Sequence, residues 1–328
     1  MAPISLMNKI LCKESNESWN GIIESLNDLF QSEYGNNLYA EIRSRESLIY
    51  NIDNLISSSA WELWESFQSS VPSTSSMLVD FWENNSDGKA VLILDGLSLR
   101  EMPILIEEGL KRNYKINSQI TASELPSETT PFAKSLGFSQ RSSLENNQAG
   151  NNHKLVGART ECTDLPWLDS SKLIQSEPNW IFWHTWLDDR LHDLNEPGKG
   201  LRMLVNELNQ QLRSDEFWSF IERLSTGRNI IITSDHGYIS TGEFINVDQK
   251  DQIDYLKSNY KGQRYFKSNV KENHWVPPID LNLESSYGEY RYVLGTKRWK
   301  VPGGYPTLTH GGLSLFEILV PFIEVTKS

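Results

Sequence analysis

The sequence predicts an α/β fold built on a doubly wound, mostly parallel sheet, and three apolar runs carry that prediction. Ala90 to Leu94 reads AVLIL and ends at Asp95. Trp180 to Trp186 reads WIFWHTW and runs into Asp188, Asp189 and His192. Ile230 to Gly237 reads IIITSDHG, so β-branched residues are followed at once by Asp235 and His236. Short apolar runs of this kind are the mark of buried strands, and helical spacings lie between them, the alternation that a parallel sheet requires. Open α/β sheets bind ligands at the carboxyl ends of their strands. Three strands ending in carboxylates or imidazoles therefore mark one site.

The elements follow in chain order. Residues 1–82 carry no strand-like run, but Ala60, Leu63, Trp64 and Phe67 fall on one helix face. An N-terminal helical layer is expected there, with Trp61, Trp64 and Phe67 as core, closed by the turn-rich ENNSDGK at Glu83 to Lys89. Residues 83–328 then alternate: strand 90–95, helix about 99–112, strand about 115–121, and a loop leading to a short helix from Pro131. A polar stretch, Ser139 to Asn152, separates these from the strand at 180–186. Leu201, Leu204, Val205 and Leu208, then Phe217, Phe220, Ile221 and Leu224, give two amphipathic helices before the strand at 230–234. Glu317 to Val325 reads as a last strand, and Pro321 within it predicts an edge or bulged position. Between about 240 and 305 the rhythm breaks, and an insertion over the carboxyl edge of the sheet is expected.

Charge and composition narrow the function. A net charge of −12 opposes indiscriminate binding to nucleic acid or anionic membrane. The charge is uneven: Lys257 to Lys300 holds nine Lys or Arg against four acids, a local +5, leaving −17 for the rest. Such a stretch is commonly a solvated face, but it is also where a phosphate-bearing partner would be met. Cys12 and Cys162 are the only cysteines, which fits a reducing compartment and provides neither a disulfide framework nor a thiolate zinc site. MAPISLMNKILCKESN lacks the apolar core of a signal peptide, and no stretch approaches membrane-spanning length. A cytoplasmic protein with no membrane partner is expected.

Asp188 and His192 are four residues apart, on one face of a helix, where they can share a metal. His310 comes much later, in THGGLSLFE. With Asp95, Asp235 and His236 they make three carboxylates and three imidazoles, a donor set for two hard-to-borderline divalent ions. Two such ions side by side clamp the attacking and leaving oxygens of a phosphoryl group. Each motif also has a plainer reading. Asp235-His236 could be a turn cap or a core histidine, Asp188 and His192 an exposed helical pair, and His310-Gly-Gly a turn. Ser127, Thr129 and Thr130 could be an N-cap cluster. His184 reads as a packed core histidine, and His153 and His274 as surface loop residues.

Their joint order resembles the alkaline phosphatase superfamily and, within it, the PglZ family associated with bacterial phage defence. The resemblance runs from Asp95 through Pro126-Ser127-Glu128-Thr129, Asp188-x-x-x-His192 and Asp235-His236 to the His310-Gly-Gly of HGGLSLFEILVP. It implies a sheet of alkaline phosphatase type and two metal ions, most simply zinc. Asp95, Asp235 and His236 would hold one ion together with Thr129, the nucleophile. Asp188, His192 and His310 would hold the other. Relatives often carry an Arg three residues after the first Asp, whereas here Arg100 stands five residues after Asp95. Arg100 is the resulting candidate for substrate phosphate, with Arg264 and Arg298 of the insertion beside it. The implied activity is hydrolysis of a phosphodiester of nucleotide type, such as a cyclic oligonucleotide or nucleic acid. A phosphomonoesterase or mutase-like transferase is the nearer alternative; a silent structural adaptor among defence-system protein partners is the more distant one.

Overall fold

The computed structural model describes residues 14–84, 88–194, 200–240, 242–268 and 275–327. Cys12, Lys271, Glu272, His274 and residues 85–87 of the predicted turn lie outside the described residues. Among the described residues four helices come first, Ser15–Gln31, Leu38–Ser59, Leu63–Ser70 and Thr74–Asn84. The second is capped by Asn37, whose side chain accepts from Ala40 N at 3.2 Å. Strand β1 (Gly88–Leu94), helix Met102–Lys111, β2 (Tyr114–Ala122) and the short helix Thr129–Ser135 come next. Then come β3 (Arg159–Thr163), helix Trp167–Leu173, β4 (Asn179–His184) and helix Trp186–Asp193. Helices Leu201–Leu212 and Asp215–Ser225 precede β5 (Arg228–Thr233). The insertion holds β6 (Ile239–Ser240), β7 (Ile245–Asn246), helix Lys250–Tyr260, β8 (Tyr265–Lys267), β9 (Asp280–Ser285), β10 (Gly288–Val293), β11 (Lys297–Arg298) and β12 (Leu308–Thr309). A single turn of helix, Leu315–Ile318, leads into β13 (Leu319–Lys327).

The main sheet has the order β2-β13-β5-β1-β4-β3. It is doubly wound, and the alternation of its central strands explains why. Ala90, Leu92, Leu94, Trp180, Phe182, Ile230 and Ile232 point into one hydrophobic cluster with the N-terminal helices, among them Trp19, Trp64 and Phe67. Val91, Ile93, Ile181, Trp183 and Ile231 point the other way, onto Leu78, Trp82, Phe132 and Leu136. A strand with both faces buried must be apolar at every position, which is what AVLIL and III provide. Trp61 is partly buried against the first cluster, while Trp64 and Phe67 are buried.

Two expectations fail here. β13 is interior, between β2 and β5 and antiparallel to both. Its ladder with β5 covers only Ile323 to Val325, so Pro321 lies where no β5 ladder exists to be broken. There Thr233 Oγ1 donates to the Pro321 carbonyl at 2.8 Å instead. The second failure is an omission: β3 and helix Trp167–Leu173 were unread, because RTECT is a short polar edge strand without an apolar run.

Register then builds the site. β1 pairs with β4 up to Leu94↔His184 and with β5 up to Ile93↔Thr233, so the three strands stop level with one another. Their next residues carry Asp95, the Trp186–Asp193 helix and Asp235-His236. The insertion leaves from β6 and returns through β12, and these pair antiparallel with Thr309 opposite Ile239. That pairing returns His310 to the vicinity of His236 despite the sequence distance between them.

Candidate active site

Two groups of three side chains gather at the carboxyl edge. Asp95, Asp235 and His236 each offer a ligand atom within 4.8 Å of the others, and so do Asp188, His192 and His310. The groups adjoin, with the His236 and His310 rings stacked at 4.0 Å. His236 Nε2 is 3.6 Å from both Asp95 Oδ1 and Asp235 Oδ2. Asp188 faces His192 Nε2 at 3.5 Å through Oδ2 and His310 Nε2 at 3.8 Å through Oδ1. These spacings are too long for hydrogen bonds and suit shared ligation.

The orphaned atoms test whether metals fit. Asp95 Oδ1, His236 Nε2 and Asp188 Oδ1 are buried without any hydrogen-bond partner. Such atoms cost on the order of 1–3 kcal/mol each when unsatisfied, more when charged. All three belong to the two groups, and carboxylate with imidazole is the donor set of a divalent ion. The residues fit two such ions.

Around them the other atoms are anchored. Gly96 N donates to Asp235 Oδ1 at 3.1 Å, and Trp183 Nε1 donates to Asp95 Oδ2 at 2.9 Å. Thr129, the first residue of helix Thr129–Ser135, donates from Oγ1 to Asp235 Oδ2 at 2.9 Å. Thr130 is exposed. Asp189 is exposed too and accepts from Thr185 Oγ1 at 2.9 Å, whereas Asp188 is buried.

Burial and crowding shift these groups in ways a cation would relieve. Burial, then the charges of Asp235 and Asp188, push the Asp95 carboxyl well above its ordinary range. Asp235 is raised by burial and by Asp188. Burial also acts upward on Asp188, but the facing His192 imidazole, with His236 and His310, leaves it lowered. His236 is lowered by burial and by His310. For His310 burial acts downward, yet Glu128 and the aspartates outweigh it and hold the ring at about 10.

The three candidate arginines behave differently from expectation, whereas His184 is packed as expected. Arg100 is fully buried: Nε donates to Glu46 at 2.7 Å, Nη1 to the Tyr238 carbonyl at 2.8 Å, and the guanidinium lies over the Phe316 ring. It is committed to the interior and is not brought to the cluster. Arg264 is likewise buried, with Nε on Glu317 at 2.6 Å and further bonds to the Lys297 and Gly295 carbonyls. Its function in the fold is to back the His310 loop. A Cβ on Gly312 would meet Arg264 Nε at 2.7 Å, and one on Gly311, already at φ +96°, would meet Glu128 Oε1 at 2.8 Å. Only glycines fit between those side chains. Arg298 is sandwiched between Phe244 and Tyr305 and donates to Asn246 and the Pro306 carbonyl. Trp299 is buried in the insertion's own core. His184 packs on Trp167 and bonds the Leu165 carbonyl, and His153 stacks on Phe138.

Two residues at the site were unread in the sequence. Glu128 lies 3.3 Å from His310 Nδ1, on the ring nitrogen remote from Asp188, the position from which a carboxylate orients a ligating imidazole. Its place beside Thr129 in Pro-Ser-Glu-Thr was the available signal. Arg141 is ion-paired to Asp95 Oδ2, and nothing in the polar tract around it marked it out.

A mixed, mostly parallel α/β sheet with carboxylates and imidazoles gathered at its carboxyl edge beside a helix-initiating threonine defines an alkaline-phosphatase-like domain. A family model described as the PglZ alkaline phosphatase-like domain of the BREX system matches residues 137–325. The chain belongs to the PglZ family. The match contains Asp188, His192, Asp235, His236 and His310 and begins after Asp95 and Thr129. An alkaline phosphatase-like protein PglZ from Bacillus cereus is 30% identical over 137 residues, covering 40% of this chain and 14% of that protein. The chain thus spans about a seventh of the curated relative it matches. Among solved structures, murine ectonucleotide pyrophosphatase/phosphodiesterase 5, as an inactive variant in complex with AMP, is similar at TM-score 0.47 and 11% identity, over 74% of this chain and 88% of that one. Phosphonoacetate hydrolase from Sinorhizobium meliloti 1021 is similar at TM-score 0.39 and 13% identity, over 72% and 89%.

Proposed function

We propose that the chain is a two-metal phosphoric ester hydrolase in which Thr129 is the nucleophile, acting on a nucleotide-type phosphodiester in phage defence. The observation that carries this reading is Thr129 Oγ1, 2.9 Å from Asp235 of the buried group of three candidate ligands. A purely structural metal site has no need of a hydroxyl there. Asp95, Asp235 and His236 would hold one ion; Asp188, His192 and His310 would hold the other. Bound there, divalent ions, zinc being the best fit to this donor set, would act as Lewis acids that stabilise charge on the phosphoryl oxygens.

The chain's own residues do the rest. Asp235 Oδ2 accepts the Thr129 proton and so leaves an Oγ1 lone pair free for in-line attack on phosphorus. As the P–O bond to the leaving group breaks, the departing oxygen takes a proton from solvent and leaves as the alcohol; water then attacks the phosphothreonine, the phosphomonoester departs and Oγ1 regains its proton from Asp235. Glu128 keeps the His310 ring in its plane against His236. The nucleotide preference is supported by exposed Lys257, Lys261 and Lys300, which rim a groove of about 620 Å³ in the insertion. No helix among the described residues is long and apolar enough to cross a membrane.

The test is metal analysis of the purified protein together with assays on an aryl phosphate monoester and its diester. Two equivalents of metal and chelator-sensitive hydrolysis are expected, the diester preferred. Thr129→Ala should lower turnover on the order of 10⁴-fold with metal content intact. Substantial turnover in that variant would remove Thr129 from the mechanism.

A further inference from the structure

Resting on the hydrolase reading, we infer that Arg141 is the guanidinium that receives the substrate's phosphoryl oxygens, the place Arg100 leaves unfilled. A phosphoryl group arriving between two metal sites still presents oxygens that need donors, and alkaline-phosphatase-like chemistry needs charge stabilisation beyond the ions. Arg100 and Arg264 are spent on buried Glu46 and Glu317. Arg298 is held between two aromatic rings.

Arg141 is placed differently. It begins the short 3₁₀ turn Arg141–Leu144, after the helix that starts with Thr129. Its Nη1 is ion-paired to Asp95 Oδ2 and lies 3.8 Å from Asp188 Oδ2, so one nitrogen faces both ligand groups. Asp95 Oδ2 also takes the Trp183 Nε1 hydrogen bond, while Asp95 Oδ1 is the orphaned oxygen beside His236. The two oxygens therefore divide their duties: Oδ1 is available to a metal and Oδ2 anchors Arg141, so the guanidinium and an ion need not compete. The Arg141 side chain is 28% exposed, against 0% for Arg100 and 3% for Arg264, so of these three it alone keeps a face toward solvent and incoming ligand. A planar fork held at one nitrogen can offer the others to two phosphoryl oxygens at once.

The experiment compares wild type, Arg141→Lys and Arg141→Gln for metal content, the inhibition constant of inorganic phosphate, and the thermal shift that inorganic phosphate produces. Arg141→Gln should weaken phosphate, and raise the Michaelis constant for an aryl phosphate, by about 10- to 100-fold while both metals stay bound. Arg141→Lys, which keeps the charge but not the fork and preserves the anchor on Asp95, should fall between. If Arg141→Gln loses metal while phosphate affinity per loaded site is unchanged, the residue only holds Asp95 and the inference falls. It falls equally if phosphate neither inhibits nor stabilises the wild type. Should the wild type hydrolyse no ester yet be stabilised by phosphate in an Arg141-dependent way, the inference stands and the hydrolase reading fails.

Discussion

The carboxyl edge of the sheet and the insertion that follows it are both dense in charge, and they use it in opposite ways. At the edge, Asp95, Asp188 and His236 keep buried atoms without hydrogen-bond partners, and like charges crowd one another. In the insertion the buried charges are matched: Arg264 with Glu317, and Arg291 with Asp280 at 2.8 Å while Tyr255 and Tyr260 donate to the same carboxylate. Folding alone favours the second arrangement, since an unpaired buried charge is costly. A cation bound between the two groups would complete the first. Orphaned carboxylate and imidazole atoms gathered in one place, rather than local charge density, mark the site.

After Thr129→Ala, the largest expected effect tests that contrast between neighbouring aspartates. Asp188→Asn should remove one metal equivalent and lower activity about 10³-fold, because it takes a ligand oxygen from the buried group. Asp189→Asn should stay within a few-fold of wild type, since Asp189 is exposed and bonded only to Thr185. Metal stoichiometry decides it. The reverse ranking would move the ligand by one residue.

Arg264→Ala comes next and should behave as damage to the fold. It leaves Glu317 buried and uncompensated, which costs about 3–5 kcal/mol of stability in denaturant unfolding. Activity per folded molecule should change through the His310 loop that Arg264 backs, and the salt dependence of the Michaelis constant should not change. A stable variant with selectively weakened binding of a multiply phosphorylated substrate would return Arg264 to the substrate's side of the comparison.

That residue also shows where the sequence stops being readable. The three strand ends were legible because a fully buried strand must be apolar throughout and the residue after it is conspicuous when charged. The division of six ligands into two groups followed from resemblance, and the fold brings the same residues together. Arg264 was not legible, because its partner Glu317 lies 53 residues away and charge counting cannot see pairing. Arg141 and Glu128 were missed for the complementary reason: each is polar among polar neighbours, and only the fold aims it. Pro321 misled because a proline's tolerance depends on which side of the strand has a ladder, a property of the partner strand.

A third test compares two buried histidines near strand ends. His236 is left with an orphaned Nε2, whereas His184 bonds the Leu165 carbonyl through Nε2 and meets Trp186 N through Nδ1 at 3.4 Å, one donor and one acceptor, as the neutral ring requires. Burial lowers its pKa to about 4. The unfolded ring titrates near 6.5, so below that pH the unfolded state binds the extra proton and stability falls as pH drops toward 4. The contribution is about 3 kcal/mol over that window. His184→Gln should flatten this part of the acid limb in unfolding measured against pH. An unchanged slope would mean that His184 is protonated in the fold.

The smallest expected effect concerns the insertion's outer face. With Arg264 and Trp299 buried, the contacts left for a polyanion among the described residues include exposed Lys257, Lys261, Lys267 and Lys300, with the half-buried Arg298 beside Tyr305. Each phosphate neutralised at such a surface changes the salt slope of binding by about one, and loss of one contact costs roughly 1 kcal/mol. Lys257→Glu with Lys300→Glu should therefore weaken an oligonucleotide several-fold and flatten its salt dependence. A small aryl phosphate, meeting only the metal groups and Arg141, should be unaffected, because neither substitution touches Asp95, Thr129 or the His310 loop. Equal losses on both substrates would show that the insertion acts through the fold of the site. No loss on either would mean that its lysines are a solvated face, and the nucleotide preference would then fall.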